Sequence, residues 1–342
     1  MDQAAQIAQA VLYEGYLLWP YRRSTLKNQK RWTFGGVYPE PYSTAREGDD
    51  PWRMQTQCLL ADGVDAHLDV RVRFLHVVQR DVGRLPDSRP DGSDELAALE
   101  LVDELTVDGQ QHLAWQESTE REAAALRVSV RSLRSGPCRV EIDIPEAEHV
   151  EWLAERSGRR VGALLRRWKP MRGQVEIAAE PVSDELTRVT VSVTNTTSWH
   201  GSDREQALLR TLVSTHTVLD VDQGRFVSLT DPPEHWRVHA QQCQNIGAWP
   251  VLVGPEGSGS SMLSAPIILY DYPQVAPESP QDLYDATEID QLLTLSVLSL
   301  SDDERREMAA SDPRARAILE RCESLTPEQM LRLHGTMREV RS

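Results

Sequence analysis

Between Leu186 and Thr194 the chain alternates strictly, with Val189, Val191 and Val193 set against Thr190, Ser192 and Thr194. Successive side chains of an extended strand point to opposite faces, so the valines fall on one face and the hydroxyls on the other. A helix would scatter the same residues around its axis at about 100° per residue. A strand with one apolar face must be covered by a second layer, which commits the chain to stacked, largely antiparallel sheets. Gln174 to Pro181 supplies a partner strand across Ser183-Asp184, so the spacing predicts a hairpin. Leu68, Val70, Val72 and Phe74 repeat the period of two after an Asp62-Gly63 turn signal, which predicts another hairpin. Thr217 to Val221 and Arg225 to Leu229 bracket Asp222-Gln223-Gly224 as a third. The first two hairpins align without a gap, Arg53 with Arg172 and Val70 with Val189, which raises a duplication; strands of period two match by accident, so unrelated hairpins are preferred.

Around these strands the pattern changes. Ile7, Val11 and Leu18 recur at helical spacing over residues 3 to 18, and Pro20 stops that helix. Residues 80 to 95 form a polar insertion read as a surface loop, and Leu96 to Leu105 is read as a short helix. Stretches near 111 to 118, 125 to 133 and 138 to 144 read as strands, and 203 to 213 and 232 to 244 as helices. Trp249 to Val253 and Ile267 to Tyr270 read as short strands separated by the flexible Gly254 to Ser261 loop. Capping boxes at Thr287/Asp290, Ser301/Glu304 and Thr326/Gln329, the last with Pro327 at the first helical position, announce a run of short C-terminal helices. Met330, Leu333, Met337 and Val340 give that tail an apolar stripe. The expected fold class is α+β: a β-rich body of one or two antiparallel sandwich-like modules, an N-terminal helix and a C-terminal bundle. The expected division is 1–45 (helix and aromatic segment), 46–170 and 171–285 (two β-rich modules), and 286–342 (helices).

Charge narrows the partners. With 53 acidic residues against 37 Lys and Arg, the net charge of −16 repels nucleic acid and anionic lipid over most of the surface, so a charged partner must be basic or meet a local basic patch. No apolar run reaches the roughly 18 residues of a spanning helix, so membrane insertion is not expected. Cys58, Cys138, Cys243 and Cys322 form no pair motif or framework and read as free thiols of a reducing compartment. Met1-Asp2-Gln3 does not open like a signal peptide, and the expected location is the cytoplasm, where the Asn195-Thr196-Thr197 sequon carries no glycan.

One segment departs from the acidity. Tyr13, Tyr16, Trp19, Tyr21, Trp32, Phe34, Tyr38 and Tyr42 crowd together with Arg22, Arg23, Lys27, Lys30 and Arg31, and no acidic residue lies between Glu14 and Glu40. Arginine interleaved with aromatics stacks on bases and equally makes protein-interface cores; the global charge favours protein contact or internal packing over nucleic acid. Tyr13, Tyr16, Trp19, Tyr21, Arg22 and Arg23 are the expected partner-binding residues, because Tyr, Trp and Arg dominate interface energetics. The competing reading buries them beneath the N-terminal helix.

No catalytic residue is nominated. His235, His239 and Cys243, spaced four and four on a predicted helix, share a face and could hold nickel or zinc with a fourth ligand such as His216 or His200. They lack the glutamate of an H-E-x-x-H pattern, and exposed histidines beside a buried cysteine is the simpler reading; no cofactor is expected. Cys138 has no base nominated beside it. The Gly254 to Ser261 loop lacks phosphate-loop spacing. Asp302-Asp303 sits where a helix N-terminus favours negative charge, and Asp49-Asp50 carries no further signal.

LYEGYLLWPYRRS (12–24), KNQKRWTFGGVYP (27–39), STHTVL (214–219), GRFVSLTDPP (224–233), NIGAWPVLVG (245–254) and SAPIILYDYPQVAPESPQDLYDATEID (264–290) together resemble an uncharacterised accessory protein family encoded among the maturation genes of actinobacterial-type uptake nickel-iron hydrogenases. The likeness is weakest over residues 80 to 170. It implies a role in assembling, maturing or organising such an enzyme in the cytoplasm, implies no known activity and brings no catalytic residues; the preferred reading is a non-enzymatic accessory or scaffold protein that contacts a hydrogenase subunit or maturation factor. Two other readings are a metal-binding protein using His235, His239 and Cys243, and a structural component of a larger particle; self-association is compatible with all three.

Overall fold

The structure is a computed structural model and describes residues 3–13, 35–46, 50–86, 95–273 and 297–326. Helices α1 (Gln3–Leu12) and α2 (Glu40–Thr44) precede strands β1 (Arg53–Ala61) and β2 (His67–Arg84). Next come β3 (Glu100–Val102), β4 (Glu104–Val107), β5 (Gln110–Leu113) and β6 (Trp115–Ser129), then the single turn α3 (Val130–Leu133). Strands β7 (Cys138–Ile144), β8 (Ala147–Ala154), β9 (Arg160–Trp168), β10 (Met171–Pro181) and β11 (Leu186–Asn195) lead to α4 (Arg204–Leu208). After β12 (Val213–Val221) and β13 (Arg225–Val227), a 3-10 turn (Glu234–Trp236) runs into α5 (Arg237–Gln241), followed by β14 (Trp249–Val253) and β15 (Ser261–Ala265). The described C-terminus holds α6 (Asp302–Ser311) and α7 (Pro313–Ser324).

These strands form the expected α+β, β-rich body. One sheet has the order β13-β1-β11-β10-β7, and the other β14-β15-β12-β2-β9-β8 with β3 and β6 also on β2; a separate β4-β5 ribbon stands apart. The valines of β11 sit where the alternation puts them. Val189, Val191 and Val193 lie opposite Cys58, Thr56 and Met54 on one side and Ala179, Ile177 and Val175 on the other. Together with Leu68, Val70, Val72 and Phe74 of the second sheet they make one buried cluster, so the two sheets stack face to face. Across that core the Thr56 hydroxyl donates to the Ser264 hydroxyl at 2.7 Å, which satisfies a buried polar group of each sheet.

The connection between β1 and β2 is not a hairpin. β1 pairs with β11 and β13, while β2 pairs with β12 and β6, so the Asp62-Gly63 turn carries the chain from one sheet to the other. The same holds for Asp222-Gln223-Gly224: β12 belongs to the second sheet and β13 to the first. The two crossings lie side by side, with the Asp222 amide donating to the His67 carbonyl at 3.2 Å. Gly224 has φ +77°, and a Cβ there would lie 2.5 Å from the Ala61 carbonyl oxygen, so only glycine fits the crossing. Only β10-β11 is a true hairpin among the three expected. The likeness of residues 53–72 to 172–191 therefore has no counterpart in strand pairing. Strands from both sides of residue 170 interleave in both sheets and share one core, so the expected 46–170 and 171–285 modules are a single sandwich.

Other expectations are corrected locally. Residues 96–105 form no helix but enter β3 and β4, and residues 80–84 continue β2 rather than starting a loop. β2 has 18 residues and spans about 60 Å at about 3.3 Å per residue; its far end leaves the sandwich and builds a smaller cluster of Val82, Val107, Leu153 and Leu164. The Gly254–Ser261 loop is the tight link between β14 and β15, whereas 267–270 is not a strand.

Helices cover the outer faces. Ile7, Ala8 and Val11 of α1 pack on Val251, Val253, Leu263 and Ala265. Trp236 and Ala240 cover Leu59, Ala61 and Leu186. Met308, Ala315, Ile318, Leu319 and Cys322 of α6 and α7 join Leu75 and Val77 of β2, Trp115 of β6 and Leu12 and Tyr13 at the end of α1. Ser301 caps α6 with the reciprocal Glu304 box expected there. A buried arginine docks the same helix: Arg80, 5% exposed, donates to the Ala310 carbonyl at 3.3 Å and pairs with Glu117 at 2.7 Å. Glu117 also accepts from Arg166 at 2.7 Å, so its charge is matched on both oxygens. Among the described residues no helix is long and apolar enough to cross a membrane. The Thr287 box, the partner residue of the Thr326 box and the Met330 to Val340 stripe lie outside the described residues.

Candidate interaction surface

The expected partner-binding residues separate. Tyr16, Trp19, Tyr21, Arg22 and Arg23 lie outside the described residues. Tyr13 is 2% exposed and internal: its hydroxyl donates to Glu120 at 2.5 Å and accepts from Arg314, whose guanidinium lies 3.9 Å from the ring centroid. Arg73 pairs with the same Glu120 at 3.2 Å. Burial raises the Glu120 pKa, but the bonds from Tyr13 and Gln9 and the charges of Arg73 and Arg314 outweigh it and hold the carboxyl below its ordinary range. Tyr13 thus works as a joint between α1, the second sheet and α7, in keeping with the competing reading that buries it.

The end of the aromatic segment gives a different picture. Tyr38 and Tyr42 flank the start of α2, with stacked rings 5.5 Å apart, and Trp199 meets Tyr42 edge-on at 6.1 Å. Four arginines lie on the faces of this end of the sandwich: Arg46 over Tyr42 at 5.3 Å, Arg204 over Tyr38 at 5.3 Å, Arg210 over Trp199 at 5.5 Å and Arg53 over Trp52 at 5.9 Å. Arg204 is spent internally, held by both oxygens of Asp50 at 3.1 and 3.2 Å. Burial, then Asp50, pushes the Tyr38 and Tyr42 phenols upward, so both stay neutral donors. Burial opposes the Arg204 charge, yet Asp50 keeps its pKa above the ordinary value.

The other three arginines differ. Arg46 donates to the Tyr42 hydroxyl at 2.7 Å and the Ser202 carbonyl at 3.3 Å, and Arg210 to the Gln206 carbonyl at 3.2 Å. Among the described residues, Arg46, Arg53 and Arg210 have no carboxylate within ion-pair distance. Arg46 and Arg53 are exposed, and Arg210, Trp52 and Trp199 are half-buried.

One buried residue ties the surface together. Asn195 is 0% exposed; its amide donates to the carbonyls of Val37 and Arg210, both at 2.8 Å, and its side-chain oxygen accepts from the Thr197 amide at 3.0 Å. Its own backbone amide donates to the Trp52 carbonyl at 3.1 Å. Three chain segments that carry the arginines therefore meet at a single residue. The sequon at this asparagine is internal, with both amide hydrogens engaged.

His235, His239 and Cys243 do not converge. The 3-10 turn changes pitch between His235 and His239; the His235 ring packs against Trp236 with centroids 4.5 Å apart, and the Cys243 thiol faces the His239 carbonyl at 3.7 Å. No group of three or more potential ligands assembles among the described residues. Burial raises the Cys243 pKa against the influence of Arg188, the opposite of an activated thiolate. A cleft of about 490 Å³ beside β2 is lined by Arg84, Leu105, Arg159 and Val161; Arg84 pairs with Glu100 at 3.0 Å and Arg159 with Glu155 at 2.7 Å, so its charges are answered within the chain.

Sequence reading marked Tyr38 and Tyr42 within the aromatic segment but missed Arg46, four residues beyond Tyr42, and Arg53, Trp199 and Arg210, which the fold brings to this end from distant positions. Tyr42-Arg46 and Trp52-Arg53 were the local signals. No protein-family model and no curated protein matches the chain.

Proposed function

We propose that this protein is a non-enzymatic accessory or scaffold protein that works by protein-protein contact, in the cytoplasm, in the assembly of a nickel-iron hydrogenase. The observation that carries the contact role is the set of guanidiniums of Arg46, Arg53 and Arg210, which have no ion-pair partner among the described residues and are each laid on an aromatic face at one end of a well-packed sandwich. Arginine, tryptophan and tyrosine are the residues that carry most binding energy at interfaces, and ring contacts limit the side-chain freedom that binding would otherwise remove. The hydrogenase context rests on the resemblance carried by residues 12–39, 214–219, 224–254 and 264–290.

The experiment is complementation. In a strain that makes such a hydrogenase, deleting the gene should lower hydrogenase activity, the wild-type chain should restore it, and Arg46→Gln/Arg53→Gln/Arg210→Gln should not, although it accumulates to the same level. Unchanged activity in the deletion strain would remove the hydrogenase role.

A further inference from the structure

We infer that the surface formed by Arg46, Arg53, Arg210, Trp52 and Trp199 recognises an acidic segment, rich in Asp and Glu, of the partner protein; this rests on the contact role proposed above. The argument is charge complementarity on a molecule whose charge points the other way. A chain with net charge −16 has carboxylates to spare, and its fold pairs many of its arginines with them: Arg71 with Asp69 and Asp220, Arg166 with Glu117 and Glu151, Arg167 with Asp81 and Glu148. At this end, among the described residues, Arg204 alone is treated that way, by Asp50. Arg46, Arg53 and Arg210 instead lie on Tyr42, Trp52 and Trp199, so the ring covers one face of each guanidinium. The N–H edge of a guanidinium matches a carboxylate with two parallel hydrogen bonds. Trp52 and Trp199, half-buried between these charges, offer apolar contact to the intervening side chains of an extended peptide.

The geometry also selects against two other anions. Inorganic phosphate binds where donors converge on one point, and here each arginine rests on a different ring. A nucleic acid strand brings a continuous line of charge that meets the surrounding acidic surface, including Asp203, which caps α4, and Glu205 in its first turn, both exposed. A short acidic segment requires only local complementarity.

The test measures fluorescence anisotropy with the full-length protein and a labelled twelve-residue peptide of alternating Glu and Gly, at low and at physiological salt. Binding should weaken with salt and fall by at least about tenfold in Arg46→Gln/Arg53→Gln/Arg210→Gln, while Arg84→Gln, at a paired site elsewhere, changes nothing. Circular dichroism of the triple variant should match wild type, since none of the three arginines is buried. Absence of peptide binding, equal binding of a Gln-Gly control peptide, equal binding by the triple variant, or tighter binding of inorganic phosphate or oligouridine of equal charge would overturn the inference. Complementation is read separately: rescue that is lost in the triple variant without acidic-peptide binding removes the acidic partner and leaves the contact role standing.

Discussion

Asn195 shows how much one side chain does that its codon neighbourhood conceals. In the sequence it reads as a sequon; in the fold it has three hydrogen bonds from its side chain at zero exposure. Asn195→Asp keeps the shape but replaces two donors with acceptors facing the Val37 and Arg210 carbonyls. It should cost about 2–4 kcal/mol, read as a lower denaturation midpoint at unchanged slope. Arg80 is the second such residue: Arg80→Met leaves the buried Glu117 with Arg166 alone and removes the donors to the Leu113 and Ala310 carbonyls, and should cost about 3 kcal/mol, while adding Glu117→Leu should recover part of the loss in a double-mutant cycle. Two buried histidines contribute most visibly to the acid response, alongside a smaller lowering at His112 by burial. Burial, aided by Arg121 for His76, and burial, aided by Arg73 and opposed by the Ser214 bond and Glu120 for His216, lower each pKa to about 4. His216 sits 3.1 Å from the Ser214 carbonyl, so Nδ1 carries its proton. The unfolded chain takes up protons near pH 6.5 and the folded chain does not until about pH 4, so stability is full above pH 6.5 and falls as pH drops through that window. The slope is about 1.4 kcal/mol per pH unit per histidine. Urea unfolding across pH 4–7 should show this fall, and His216→Asn should flatten it.

At the scale of elements, period and partner are different kinds of information. The alternation of Leu68, Val70, Val72 and Phe74, and of the valines in β11, was legible because a strand's faces are set by its own residues. Which strand bonds to which was not, because Asp62-Gly63 and Asp222-Gln223-Gly224 are turn signals that serve equally for a hairpin within one sheet and a crossing between two. The decision lies in long-range pairing, β1 with β11 and β2 with β12, which no local window contains. Residues 96–105 were misread for the same reason: Glu100–Val102 pairs with the end of β2, and that tertiary partner overrides a helical composition. The crossing predicts a sharp effect at Gly224. Gly224→Ala meets both a positive φ and the Ala61 carbonyl, and should cost about 2–4 kcal/mol, more than Gly109→Ala, whose added Cβ meets nothing within 4 Å. Thermal melts of the two variants compare them directly.

On the scale of the whole molecule, the sandwich and its helices position one end rather than enclose a site. The fold class and the acidic balance were legible, since both are sums over many residues. The surface was legible only through Tyr38 and Tyr42, because Trp52-Arg53, Trp199 and Arg210 reach it through Asn195 and through strand register. The histidine-cysteine trio does not assemble among the described residues, because spacing of four makes one face only if the helix keeps one pitch, and the 3-10 turn at Glu234–Trp236 breaks it. The account stands or falls on contact through the arginine-aromatic end. The most direct measurement is tagged co-purification, quantified by mass spectrometry, from cells making the hydrogenase, with wild type and with Arg46→Gln/Arg53→Gln/Arg210→Gln at equal abundance. The account predicts that a hydrogenase subunit or maturation protein is enriched with wild type and reduced about tenfold or more with the triple variant; equal enrichment with both, or none with either, would contradict it.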